Sequence, residues 1–152
     1  MSRYLLACLL AISIVGLTSA NAAPIPFAEG QVWSYETRKA EPDSRLVILR
    51  VYQSPDGDKF IFVGVLGLTI QFTPSQPPVL WEQCYMPFPE SVLRKSVTKL
   101  EKEHGEITFP AFEKIYPDWK KKADAGHKQL WTTPVAKAID SLEEMIRKNP
   151  KQ

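Results

Sequence analysis

The sequence predicts an α+β domain: an antiparallel meander of about five strands, followed by about three helices packed on it. Three observations carry that expectation. Apolar residues alternate with period two up to about residue 88 and recur at helical spacing beyond it. Turn-forming Pro, Asp and Gly clusters punctuate the first half. The chain has 152 residues, 44% of them hydrophobic and 24% charged, which suits one domain with a real core rather than a disordered chain.

The elements follow in order. Residues 31–37 alternate, with Trp33, Tyr35 and Thr37 on one face and Val32, Ser34 and Glu36 on the other. Pro42, Asp43 and Ser44 then mark a turn. Residues 46–52 form a second strand, with Val47, Leu49 and Val51 facing one way. Ser54-Pro55-Asp56-Gly57 has tight-turn chemistry, because proline presets φ and glycine accepts positive φ. Residues 59–65 are bulky and β-rich throughout. Gly67 permits a turn before a fourth strand at 68–72. Gln76-Pro77-Pro78 interrupts pairing ahead of a fifth at 79–85.

Helical spacing then takes over. Pro89 suits a first helical turn, Leu93, Val97 and Leu100 continue a stripe, and Gly105 suits its C-terminal end. Phe112, Ile115, Tyr116 and Trp119 form a second stripe; Pro117 predicts a kink or a fresh start, and Gly126 an end. Residues 128–132 read as a short extra strand. Thr133 as N-cap and Pro134 as first helical residue open a last helix bearing Val135, Ile139, Leu142, Met145 and Ile146.

Residues 1–22 read as a secretory signal peptide: Arg3, an apolar run over 5–17, and an Ala20-Asn21-Ala22 cleavage site. The run is short of the ~20 residues of a membrane-spanning helix, so no stable membrane insertion is expected after cleavage. Cys8 sits too early for a lipoprotein site. Cleavage after Ala22 leaves residues 23–152 as a single α+β domain, periplasmic or secreted, with Cys84 as its one cysteine and no internal disulfide.

The overall charge of +2 gives no footprint for nucleic acid. It hides a division. Residues 23–90 carry 5 basic and 8 acidic side chains, while residues 91–152 carry 13 and 9. The helical half is thus the better face for an anionic partner.

Catalytic chemistry is thinly supplied. Two histidines at unrelated positions, His104 and His127, make no metal motif, and no cofactor loop is present. His104 reads as a helix-end residue and His127 as a loop residue. Asp56-Gly57-Asp58 lacks the ordered oxygen ligands of a calcium loop. Cys84, between Gln83 and Tyr85, reads as a small buried hydrophobe. Trp119-Lys120-Lys121-Lys122 is the sharpest local feature: a ring followed by three cations, suited to an acidic protein patch or an anionic envelope component, or else an inward ring with solvated lysines.

A pattern spans most of the mature chain: Gly30-Gln31-Val32-Trp33-Ser34-Tyr35-Glu36-Thr37-Arg38, Leu46-Val47-Ile48-Leu49, Met86-Pro87-Phe88, residues 96–100, Trp119 before the Gly126 turn, and the Thr133-led last helix. It resembles a family of small uncharacterised bacterial proteins that open with a GQVWSYxTR-like strand. Members have histidine before Met-Pro-Phe where this chain has Tyr85, and they look cytoplasmic where this chain carries a signal. The resemblance implies the fold and no activity.

The expectation is therefore an exported, non-enzymatic binding or interaction protein, one form of which is immunity- or inhibitor-like. The alternatives are a small cell-envelope hydrolase using a carboxylate pair or Cys84, and a structural envelope protein.

Overall fold

Lys59–Leu66 organises the molecule. This strand (β3) has six consecutive buried residues, Phe60 to Val65, so both of its faces are covered. That requires a central place in a sheet and a layer on each side. The computed structural model, which describes residues 23–149, has that arrangement. The strands β1 (Val32–Tyr35), β2 (Arg45–Gln53), β3, β6 (Cys84–Pro89) and β7 (Val97–Lys102) form one antiparallel sheet in the order β6-β3-β2-β1-β7. Two short strands, β4 (Thr69–Ile70) and β5 (Val79–Leu80), make a separate hairpin. Three helices, α1 (Glu90–Ser96), α2 (Pro110–Asp124) and α3 (Val135–Lys148), complete the predicted α+β fold.

The two faces are packed differently. Trp33, Leu46, Ile48, Ile61, Val63, Met86 and Phe88 meet Leu68 and Ile70 of the hairpin, Leu93 of α1 and Val135 and Ile139 of α3. On the other face Val32, Val47 and Phe62 meet Phe109 and Phe112, while Tyr52 and Phe60 meet Ala123. Here α2 is the covering helix.

A bulge divides β2. Ile48 pairs with Val63 and Arg50 with Phe62, leaving Leu49 as the extra residue. Val47 and Leu49 therefore face α2, whereas Val51 packs on the opposite core; the three do not share a face as the alternation predicted. Arg50 is turned towards α2, where it pairs with Glu113 at 3.0 Å.

The helix expected from Pro89 to Gly105 stops at Ser96, and Val97 begins β7. Val97 pairs with Tyr35 and Lys99 with Ser34, with a register shift between them. That shift puts Val97 and Leu100 on one core at a spacing of three, which in sequence looks like a helical period. Gly105 caps no helix. Its N–H donates to Gly30 O at 2.8 Å, and a Cβ there would lie 2.9 Å from Val32. His104 lies beside Gly30, away from any helix end. Pro89 is the last residue of β6, one place before α1.

Other boundaries move for local reasons. The expected fourth strand contracts to Thr69–Ile70, and the fifth divides into β5 and the start of β6. Helix α2 runs through Pro117 with no fresh start. It ends at Ala125 and Gly126, whose φ is +88°; Gly126 N–H reaches Ala123 O and His127 N–H reaches Lys122 O, both at 2.9 Å. This pair of bonds is a Schellman ending. Thr133 does not cap α3. The Val135 N–H instead donates to Ser96 Oγ at 3.1 Å, tying the end of α1 to the start of α3. Met145, expected in the apolar stripe, is 47% exposed.

Residues 128–132 form no strand, although Trp131 N–H donates to Pro87 O at 2.9 Å on the β6 edge. That edge is poor in donors because Pro87 and Pro89 lack N–H groups. The β7 edge has two register shifts and the charged Lys99, Glu101 and Lys102. Both devices discourage edge-to-edge association.

Candidate functional site

A single amphipathic helix cannot cover the whole of one face of a five-stranded sheet. Where α2 ends its coverage, beside β6, a cleft of about 600 Å³ remains. Its lining comes from four separate segments: Phe62 of β3, Tyr85 and Pro87 of β6, Ile115 and Trp119 of α2, and the returning chain from Lys128 to Trp131. The volume lies within the range of small-molecule sites, roughly 300–1,000 Å³.

The Trp119 ring forms one wall. It stands edge-on to Phe62 at 4.5 Å and to Tyr52 at 5.4 Å between centroids. Such contacts each contribute about 0.5–1.5 kcal/mol beyond burial. Its Nε1–H is buried and has no acceptor among the described residues. A buried donor left unpaired is costly, which makes this atom informative.

Lys128 holds the outer wall. Its Nζ lies 3.3 Å from a carboxylate oxygen of both Asp56 and Asp58, and 5.1 Å from the Phe60 ring centre. Burial lowers its pKa, but the two carboxylates outweigh that and hold it above the usual lysine value. The Asp56-Gly57-Asp58 turn thus serves as a clasp on Lys128, with Gly57 at φ +89°.

The Trp119–Lys122 run is not brought together as one surface. Trp119 turns to the sheet. Lys120 pairs with Asp124 at 2.6 Å and Lys122 with Asp118 at 2.7 Å along the helix. Lys121 is exposed. Tyr85, Pro87, Leu130 and Trp131 were not grouped with Trp119 by sequence, because the wall they make with it exists only once β6 and the 128–131 segment lie side by side. Ile115 belongs to the apolar stripe of α2, yet it is 37% exposed at the cleft.

The groups a hydrolase would use lie elsewhere. Cys84 is buried on the opposite face, and burial pushes its thiol pKa up to about 12, against a smaller lowering by Arg38. A thiol so shifted is a poor nucleophile near neutral pH. The tightest carboxylate group surrounds Arg38, which bonds Glu41 and Glu143 at 2.6 Å each, Asp140 at 3.2 Å and Thr69 O at 2.8 Å. Burial pushes the Glu143 carboxyl up. The Gln71 N–H at 2.7 Å and Arg38 outweigh it, leaving its pKa below the usual carboxylate value. A general acid needs a shift the other way. Among the described residues, no three His, Cys, Asp or Glu side chains gather as metal ligands would. His104 and His127 are both exposed and far apart in sequence.

A second surface feature is the β4–β5 hairpin arm, where Phe72, Val79 and Leu80 are 38%, 46% and 57% exposed. Among the described residues, no helix is long and apolar enough to cross a membrane. The predicted signal peptide lies outside the described residues. No family model, curated protein or solved structure matches the chain.

Proposed function

We propose that this chain is an exported, non-enzymatic binding protein whose site is the cleft between α2, β6 and the 128–131 segment. The observation that carries the reading is the lining itself. Four aromatic rings and four aliphatic or amide side chains surround the space with one lysine, and none of them is a carboxylate, imidazole or thiol. That is binding chemistry: apolar area to desolvate a ligand and a few polar groups to orient it. The buried thiol of Cys84 and the carboxylates held by Arg38 lie on the other side of the sheet. Export rests on the residue 1–22 pattern.

The test uses 6-propionyl-2-dimethylaminonaphthalene, a neutral dye whose emission shifts to the blue in apolar surroundings. Wild type should bind it saturably. Ile115→Arg, which places a long side chain across the cleft from an exposed position, should abolish binding while leaving the circular dichroism spectrum unchanged. Equal binding by both proteins would refute the cleft as the site. Export is tested separately, by the mass of the protein recovered from the extracytoplasmic fraction: a chain beginning at Ala23 is expected, and an intact Met1 chain retained in the cytoplasm would overturn it.

A further inference from the structure

We propose that the cleft selects an uncharged ligand with an apolar body and one acceptor oxygen, such as a carbonyl, delivered to Trp119 Nε1–H. The inference rests on the cleft reading above and goes further by naming the ligand's chemistry.

The polar groups of the lining set the charge. Trp119 and Trp131 offer indole N–H donors, Gln129 and Tyr85 can donate or accept, and no anion faces the space. A cationic ligand would find rings but no carboxylate in the lining, and the nearest two, Asp56 and Asp58, are engaged by Lys128. An anionic ligand gains little either, because Lys128 is already held by two carboxylates, Asp56 and Asp58. Phe62, Pro87, Ile115 and Leu130 supply the apolar floor and walls.

An extended peptide fits less well. In β6 the residues whose backbone points away from β3 are Tyr85, Pro87 and Pro89. The two prolines have no N–H, and Pro87 O is taken by Trp131 N–H. Tyr85 alone cannot hold a strand in register, so adding a peptide strand along this edge is disfavoured. A compact molecule remains.

The orphaned donor then specifies what that molecule carries. Trp119 Nε1 is covered by its neighbours and has no acceptor among the described residues. A small rotation of the ring, which is half-buried rather than locked in the deep core, would present the N–H to an acceptor in the cleft. Pairing it removes the cost of a buried, unsatisfied group.

The experiment compares acetophenone with ethylbenzene, which share an apolar body and differ in the carbonyl. Binding is followed by ¹H–¹⁵N correlation spectra of the full folded domain. Acetophenone should bind about fivefold more tightly than ethylbenzene, the value of one net hydrogen bond. It should also move the Trp119 indole proton downfield. Trp119→Phe should lower acetophenone affinity to that of ethylbenzene. Should that variant not fold, the indole shift in wild type decides. Equal affinities with a static indole resonance would overturn the acceptor inference and leave the binding reading standing. Tighter binding of benzyltrimethylammonium than of either would overturn it too, in favour of a cation cage. If no probe moves the Tyr85, Ile115 or Leu130 amide signals, the cleft reading itself falls.

Discussion

The two faces of the sheet solve the same burial problem in opposite ways. On one, the hairpin, α1 and α3 close over Leu46, Ile48, Ile61, Val63 and Phe88, and the Arg38 cluster pins α3 to the β1–β2 loop and the hairpin. On the other, α2 covers the sheet with a row of rings and leaves a cleft at its flank. The contrast teaches where change is tolerated. On the first face the carboxylates around Arg38 are held in ion pairs, while the α2 face carries a cleft lined mainly by rings, with Lys128 as the one charged residue of its lining.

The largest blow to the sealed face is Arg38→Met. It strips the cation from Glu41 and Glu143, whose side chains are 4% and 15% exposed. Uncompensated buried charge typically costs about 3–5 kcal/mol. Urea denaturation should show a loss of that order, and adding Glu41→Gln and Glu143→Gln should restore much of it.

Next in size is Gly64→Ala, which strikes the α2 face. A Cβ at 64 would lie 2.4 Å from the Phe109 ring, so the ring at the start of α2 must move. Overpacking of this kind costs about 1–3 kcal/mol. The same denaturation assay measures it, and weakened dye binding should accompany it as α2 shifts.

Acid should weaken the Arg38 cluster. The folded Glu143 pKa lies below its ordinary value of 4.5. Its contribution to stability is therefore complete above the unfolded pKa and is lost as pH falls through the folded one. Melting temperature against pH should fall on the acid side, and the Glu143→Gln variant should show a shallower fall. An equal slope in both proteins would contradict this assignment.

Ser96→Ala is smaller still. It removes the oxygen that accepts the Val135 N–H at the start of α3, a cap worth about 1 kcal/mol. Local hydrogen exchange in the first turn of α3 should quicken, with the amides of α2 unchanged. Smallest is Ile115→Arg, expected to alter stability by no more than about 0.5 kcal/mol because the site is already exposed. Its effect should fall on binding alone, separating the cleft from the core.

The fold class was legible because β3 and α3 state their environments plainly: a strand with no polar alternate, and a helix with Val135, Ile139, Leu142 and Ile146 on one stripe. In two of the misread elements a bulge disguises the period. Thr98 and Leu49 each add one residue, so Val97 and Leu100 looked helical and Val51 looked to share a face with Val47. Of the site, Trp119 was visible, but its neighbours were not. Tyr85, Leu130 and Trp131 reach it only through the return of the chain after Gly126 and the bond from Trp131 N–H to Pro87 O. No local pattern encodes that meeting. The three lysines after Trp119 drew the eye because charge is visible in sequence, whereas the i,i+4 pairs that quench two of them follow only once the helix is placed.

One measurement bears most directly on the division between the faces. Amide and indole resonances of the ¹⁵N-labelled domain are mapped while the neutral naphthalene dye is added. Shifts confined to Tyr85, Ile115, Trp119, Leu130 and Trp131 are the predicted result. Shifts centred on Phe72, Val79 and Leu80, or spread through the Arg38 side of the sheet, would contradict it.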